Sequence, residues 1–181
     1  MCIRDRGEIF QANLSRLWRF KVDEQLTDID LYRKLREKNP APFAGIVRYK
    51  KSSIISSSPE RLISISGDHL QTRPIAGTRP RGASGIVDVE LTRELINSDK
   101  EKAEHLMLVD LERNDISKVC EPGSVKVDEM MSIETYAHVH HIVSNISGKK
   151  RKNINPGEII KSVFPGGTIT GLSLIHISEP T

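Results

Sequence analysis

Residues 62–72 read LISISGDHLQT, and this stretch decides the fold class. Two short strand-like runs, residues 62–66 and 69–72, flank Gly67-Asp68. A two-residue connection of this kind suits the right-handed twist of antiparallel strands, so the stretch predicts a tight β-hairpin. Working outward, residues 43–49 alternate as a strand, and residues 53–57 can pair back on them after a short polar turn. Upstream, residues 7–20 (GEIFQANLSRLWRF) alternate in places through Ile9, Ala12 and Leu14 and predict a further strand. Antiparallel pairing is the theme of the first half.

Helices are interleaved with these strands. Thr27 and Asp28 can cap a helix whose apolar face is Ile29, Leu31, Tyr32 and Leu35. Asn39-Pro40 stops it, because the residue before proline avoids the helical region. Residues 77–82 (GTRPRG) read as a glycine- and arginine-rich loop. Ser98 to Glu101 spells S-x-x-E, the pattern in which each side chain satisfies the other's unpaired backbone donor, and predicts a helix to about Glu112. Pro122-Gly123 marks a turn, and Val125 and Val127 a strand. Residues 136–146 alternate, with Val139, His141 and Val143 on one face and His140, Ile142 and Ser144 on the other. Asn155-Pro156 opens a last helix with proline at its first position, ended by Phe164. Strands and helices mix without regular βαβ alternation, so the expected class is α+β, a sandwich of antiparallel strands and flanking helices.

Composition narrows the function classes. The 181 residues carry a net charge of +3; the length fits one domain of ordinary size, and the hydrophobic share of 37% is on the low side for a globular chain. No apolar run reaches the roughly 18 residues that span a bilayer. The basic run Lys149-Lys150-Arg151-Lys152 is too small for a nucleic-acid footprint and reads as a solvated turn. Cys2 and Cys120 form neither a disulfide framework nor a zinc site, which suggests a reducing, cytoplasmic setting. Residues 1–6 (MCIRDR) and 172–181 (LSLIHISEPT) resemble translated sequencing-adapter sequence and are expected to be non-native, leaving residues 7–171 as a partial domain.

Several constellations could carry chemistry. Glu101 and Glu104 lie three apart on the predicted helix, with His105 beside them. Paired carboxylates on one face can bind Mg²⁺, although a solvated charged face has the same spacing. Glu60, in Ser58-Pro59-Glu60, follows a strand, where burial would make it a general acid, although a surface loop has the same pattern. Gly77-Thr78 and Gly166-Gly167-Thr168 offer backbone donors and hydroxyls for an anion, or simply tight turns. His138, His140 and His141 cluster, but alternation sends the last two to opposite faces. No P-loop, dinucleotide fingerprint or G-x-S-x-G elbow is present.

The order of these signals is more specific than any one of them. SSSPERL (56–62), TRPIAGTRPRG (72–82), KEKAEHLMLVDLERNDISKV (100–119), PGSVKV (122–127), YAHVHHIVSNISG (136–148) and FPGGTITG (164–171) together resemble the chorismate-binding domain of anthranilate and aminodeoxychorismate synthases, component I. The resemblance spans nearly all of residues 7–171. It implies that Mg²⁺ anchors the ring carboxylate of chorismate, with Glu104 as metal ligand and Glu101 as a supporting carboxylate. It implies Glu60 as general acid, His141 as the catalytic histidine beside substrate, and Gly77, Thr78 and Thr168 as substrate contacts. It also implies ammonia supplied by a glutamine amidotransferase subunit.

Within that family, QANLSR (11–16), VHH (139–141) and FPGGTITG resemble the aminodeoxychorismate branch, which aminates C4. Ala76 resembles the anthranilate branch, which aminates C2, and excludes covalent lysine chemistry at that position. The aminodeoxychorismate branch is the expectation. The family continues after TITG with Ala-Pro-Lys, then strands bearing a second metal glutamate and a carboxylate-binding arginine, and these are missing here. The chain alone is therefore expected to be inactive, or at most a binding module, with uncovered sheet edges and marginal solubility.

Overall fold

The structure is a computed structural model that describes residues 16–170. Both expected non-native ends, and most of the first expected strand, lie outside the described residues. The remainder of that strand, residues 16–20, forms none.

Helix α1 (Asp28–Lys38) begins as its sequence dictates. The Thr27 hydroxyl accepts the Asp30 N–H, and the Asp30 carboxylate accepts the Thr27 N–H, so two otherwise unpaired donors are satisfied. The Asn39 N–H closes the last turn on the Leu35 carbonyl at 2.8 Å, just before Pro40. Strands β1 (Phe43–Tyr49) and β2 (Ser52–Ser58) form a separate antiparallel pair, in register from Phe43↔Ser58 to Tyr49↔Ser52. Asp28 fastens α1 to this pair through Arg48 and, at 2.5 Å, the Ser53 hydroxyl.

The main sheet has five strands: β3 (Arg61–Ser66), β4 (His69–Arg73), β5 (Ile75–Pro80), β6 (Lys126–Thr135) and β7 (Val139–Lys149). The hairpin expected from residues 62–72 is β3–β4, closing at Ser66↔His69. Gly67 has φ 63°, the sign its turn position demands and one that costs glycine nothing. Strand β7 is the organising element. β4 pairs with its second half, β5 with its first half, and β6 runs along its other edge. Residues 140–148 are all buried. The alternation in this strand therefore separates two covered faces rather than core from solvent.

Residues 77–82 correct the expected loop, since residues 77–80 belong to β5. Thr78, Arg79 and Pro80 pair with His141, His140 and Val139. The glycine marks a bulge: the register shifts between Ile75 and Thr78, and Gly77 has φ 88°. Proline is tolerated because it closes the strand.

Helices α2 (Gly85–Asn97) and α3 (Asp99–Ser117) meet at Ser98, which ends one and caps the other. Only the serine half of the expected box forms, through the Glu101 N–H at 3.4 Å. The Glu101 carboxylate turns instead to Arg79 at 3.2 Å, where a full charge outcompetes a single amide. α3 runs to Ser117, beyond the expected end at Glu112, because Ile116 extends its buried face. Helix α4 (Pro156–Val163) has the capping box of Asn155 and Glu158, and α5 (Gly167–Thr170) is a single turn. Leu70, Val109, Ile116, Val119, Cys120, Ile146, Ile159 and Val163 form one core cluster. Each large aliphatic there contributes about 1.5–3 kcal/mol by burial. By contrast Val47, Tyr49 and Ile54 on the β1–β2 pair are 62%, 70% and 69% exposed, an apolar face left open. No helix among the described residues is long and apolar enough to cross a membrane.

Candidate active site

Glu60 sits at the passage from the small β pair to the main sheet. The Ser58 hydroxyl accepts the Glu60 N–H at 3.3 Å and fixes the S-P-E turn. The carboxylate then reaches inward. Oε1 accepts the Ile75 N–H and Oε2 the Thr168 hydroxyl, both at 3.1 Å. Burial pushes its pKa above the ordinary carboxylate value, while these two hydrogen bonds pull the other way. Glu60 and Thr168 are 108 residues apart, and the fold joins them.

Thr78 and His141 form a second pair. They face each other across the β5–β7 ladder, with Thr78 Oγ1 2.9 Å from His141 Nδ1. Tyr136 stands edge-on to the imidazole, ring centroids 5.5 Å apart. Burial pushes His141 below its ordinary pKa, and the Gly77 backbone opposes this, so the ring is neutral near pH 7. The Tyr136 hydroxyl donates to Glu134 at 2.5 Å, which is held in turn by Arg73. Burial and that carboxylate push the tyrosine to about 12. Tyr136, Pro59 and His141 share the wall of a cavity of about 100 Å³, below the ~300 Å³ of an ordinary small-molecule site.

The helix carboxylates form a third group. Glu101 is paired with Arg79, which also binds Glu94 at 2.9 Å and donates to the Thr78 carbonyl. Glu104 follows one turn later, half-buried. His105, expected beside them, points away into the core, 0% exposed. His140 likewise parts from His141: its Nε2 lies 2.9 Å from Asp88 and its Nδ1 2.9 Å from the Thr135 hydroxyl. Among the described residues no group of three or more His, Cys, Asp or Glu could hold a metal ion. With Glu101 engaged by Arg79, these residues do not make a complete Mg²⁺ site.

Gly77 answers to packing. A Cβ there would lie 3.0 Å from Ile142 and 3.2 Å from Leu95, on a backbone that disfavours side chains in any case. Gly167 is similar, since its Cβ would meet Leu111 at 3.1 Å and Glu112 at 3.5 Å.

Glu112 was not singled out in the sequence. It lines a small cavity with Thr72, Asp115, Gly166 and Gly167. Burial pushes its pKa to about 8, Thr72 opposes this, and Glu60 and Asp115 add repulsion. Its signal was positional: it continues the stripe His105, Leu108, Val109, Ile116 on α3, a buried face interrupted by a carboxyl.

Known proteins share this sequence and fold. A family model described as chorismate binding enzyme matches residues 3–172, and the chain belongs to that family. It is 47% identical over 173 residues to an anthranilate synthase component I-like protein of Synechocystis, covering 96% of this chain and 36% of that protein. It is also 47% identical over 183 residues to aminodeoxychorismate synthase component 1 of Bacillus subtilis, covering 97% and 38%. The crystal structure of anthranilate synthase component I from Streptococcus pneumoniae superposes with a TM-score of 0.70 at 34% identity, over 80% of this chain and 31% of that one. The chain thus spans well under half the length of these relatives.

Proposed function

We propose that the full-length protein carrying this chain is a cytoplasmic aminodeoxychorismate synthase component I, which aminates chorismate at C4 with ammonia from a glutamine amidotransferase subunit. The observation that carries the reading is Glu60: a buried carboxyl of raised pKa, aimed by Ile75 and Thr168. Such a group keeps its proton to higher pH than an ordinary carboxyl and can deliver it to a departing hydroxyl, a role worth typically about 10²–10⁴ in rate. Thr78 sets the rotation of His141, whose neutral ring can accept or donate one proton beside the substrate. Glu104 would supply one carboxylate to a bound Mg²⁺, and that ion would neutralise a substrate carboxylate. The present chain, with an open apolar face on the β1–β2 pair, is expected to be inactive alone.

A specific observation favours a second reading, anthranilate synthase component I. Ala76 is 8% exposed beside Gly77 and offers no nucleophile. The deciding experiment gives the full-length protein chorismate, Mg²⁺ and ammonia and identifies the product. Aminodeoxychorismate supports the first reading, and anthranilate with pyruvate the second. An isochorismate product, or no turnover, removes both.

A further inference from the structure

His105 neighbours the proposed metal carboxylate but serves a different end. It is fully buried on α3, and its Nε2 lies 2.7 Å from Ser144 Oγ on β7. That hydroxyl also accepts the Met131 N–H at 2.9 Å. Met131 has φ 55°, a left-handed conformation unusual for a side-chain-bearing residue, and lies where β6 slips register against β7. One buried polar chain thus links α3 to β7 and to the strained bulge of β6. Apolar packing would fill this space but fix no direction, whereas a hydrogen bond specifies one rotation of the helix.

We propose that His105 and Ser144 are positioning residues: their hydrogen bond sets the rotation of α3 and so aligns Glu104 with Thr78 and His141 on the sheet. This rests on the chorismate reading, and a test with two independent readouts separates the two. In the full-length protein, His105→Leu fills the same volume without a polar atom, His105→Gln restores a polar tip, and Ser144→Ala removes the hydroxyl. A small misplacement of reacting groups costs one to two orders of magnitude. His105→Leu and Ser144→Ala are expected to keep the melting temperature within a few degrees yet lose about tenfold or more in kcat/KM for chorismate, while His105→Gln recovers most of it. The second readout is residue-resolved amide exchange, in which Ser144→Ala should accelerate the Met131 N–H. Wild-type kcat/KM in both His105→Leu and Ser144→Ala overturns the positioning role. Unchanged Met131 exchange in Ser144→Ala overturns the tie itself. Absence of chorismate turnover by the wild type would remove the functional reading, and the exchange readout would still decide the tie.

Discussion

Replacing Glu112 by glutamine should make the protein more stable, and increasingly so as pH rises. Glutamine keeps the shape and removes the ionisation. The Glu112 pKa stands at about 8 against an ordinary value of 4.5, chiefly through burial. Below pH 4.5 the carboxyl is protonated in both folded and unfolded chains, and wild type and variant should differ little. Between 4.5 and 8 the unfolded chain releases its proton while the folded one holds it, so wild-type stability falls with pH. At 1.36 kcal/mol per pH unit, the gap amounts to about 3 kcal/mol at pH 7 and about 5 kcal/mol above pH 8. Urea denaturation of the full-length wild type and Glu112→Gln, from pH 4 to 9, measures it directly. The two stability curves should diverge through neutral pH and run parallel above about 8. Curves parallel throughout would refute the reasoning, and would mean that the Glu112 carboxyl reaches solvent in the folded protein.

Other expectations test other links. Glu60→Gln should lower chorismate turnover by about 10²–10⁴. In the wild type a general acid must be protonated, so rate should fall as pH rises through the elevated Glu60 value; a variant retaining that limb would assign it to another group. Gly148→Ala would place a Cβ 2.6 Å from Cys120 Sγ, and such overpacking costs about 1–3 kcal/mol. Adding Cys120→Ala should recover part of it in a double-mutant cycle, and strict additivity would contradict the clash. Asn155→Ala should cost about 1 kcal/mol in equilibrium unfolding by opening the α4 capping box.

Much of the molecule was legible because its signals are local. Caps, prolines and the Gly67 turn act within four residues of themselves, so α1, the β3–β4 hairpin and α4 fall where the pattern puts them. β5 was not legible: GTRPRG has loop composition, and only the ladder with β7 makes residues 77–80 a strand. The first turns of α2 were obscure for a related reason. Ile86 and Val89 remain 76% and 51% exposed, so no apolar stripe announces that helix, and its placement comes from Asp88 held by Arg81, Gly82 and His140.

By itself the sequence determined the α+β class, the antiparallel hairpins, the helix starts and the ordered motifs that mark the chorismate-binding family. These depend on short-range periodicity and residue chemistry, which the chain carries without being folded. Only the tertiary structure decided what each candidate touches. It sent His105 into the core and Glu101 to Arg79, joined Glu60 to Thr168 and Thr78 to His141, and buried Glu112. Those outcomes depend on which surfaces meet across distant stretches of chain, and on the cost of burying a polar group without a partner, neither of which a local pattern encodes.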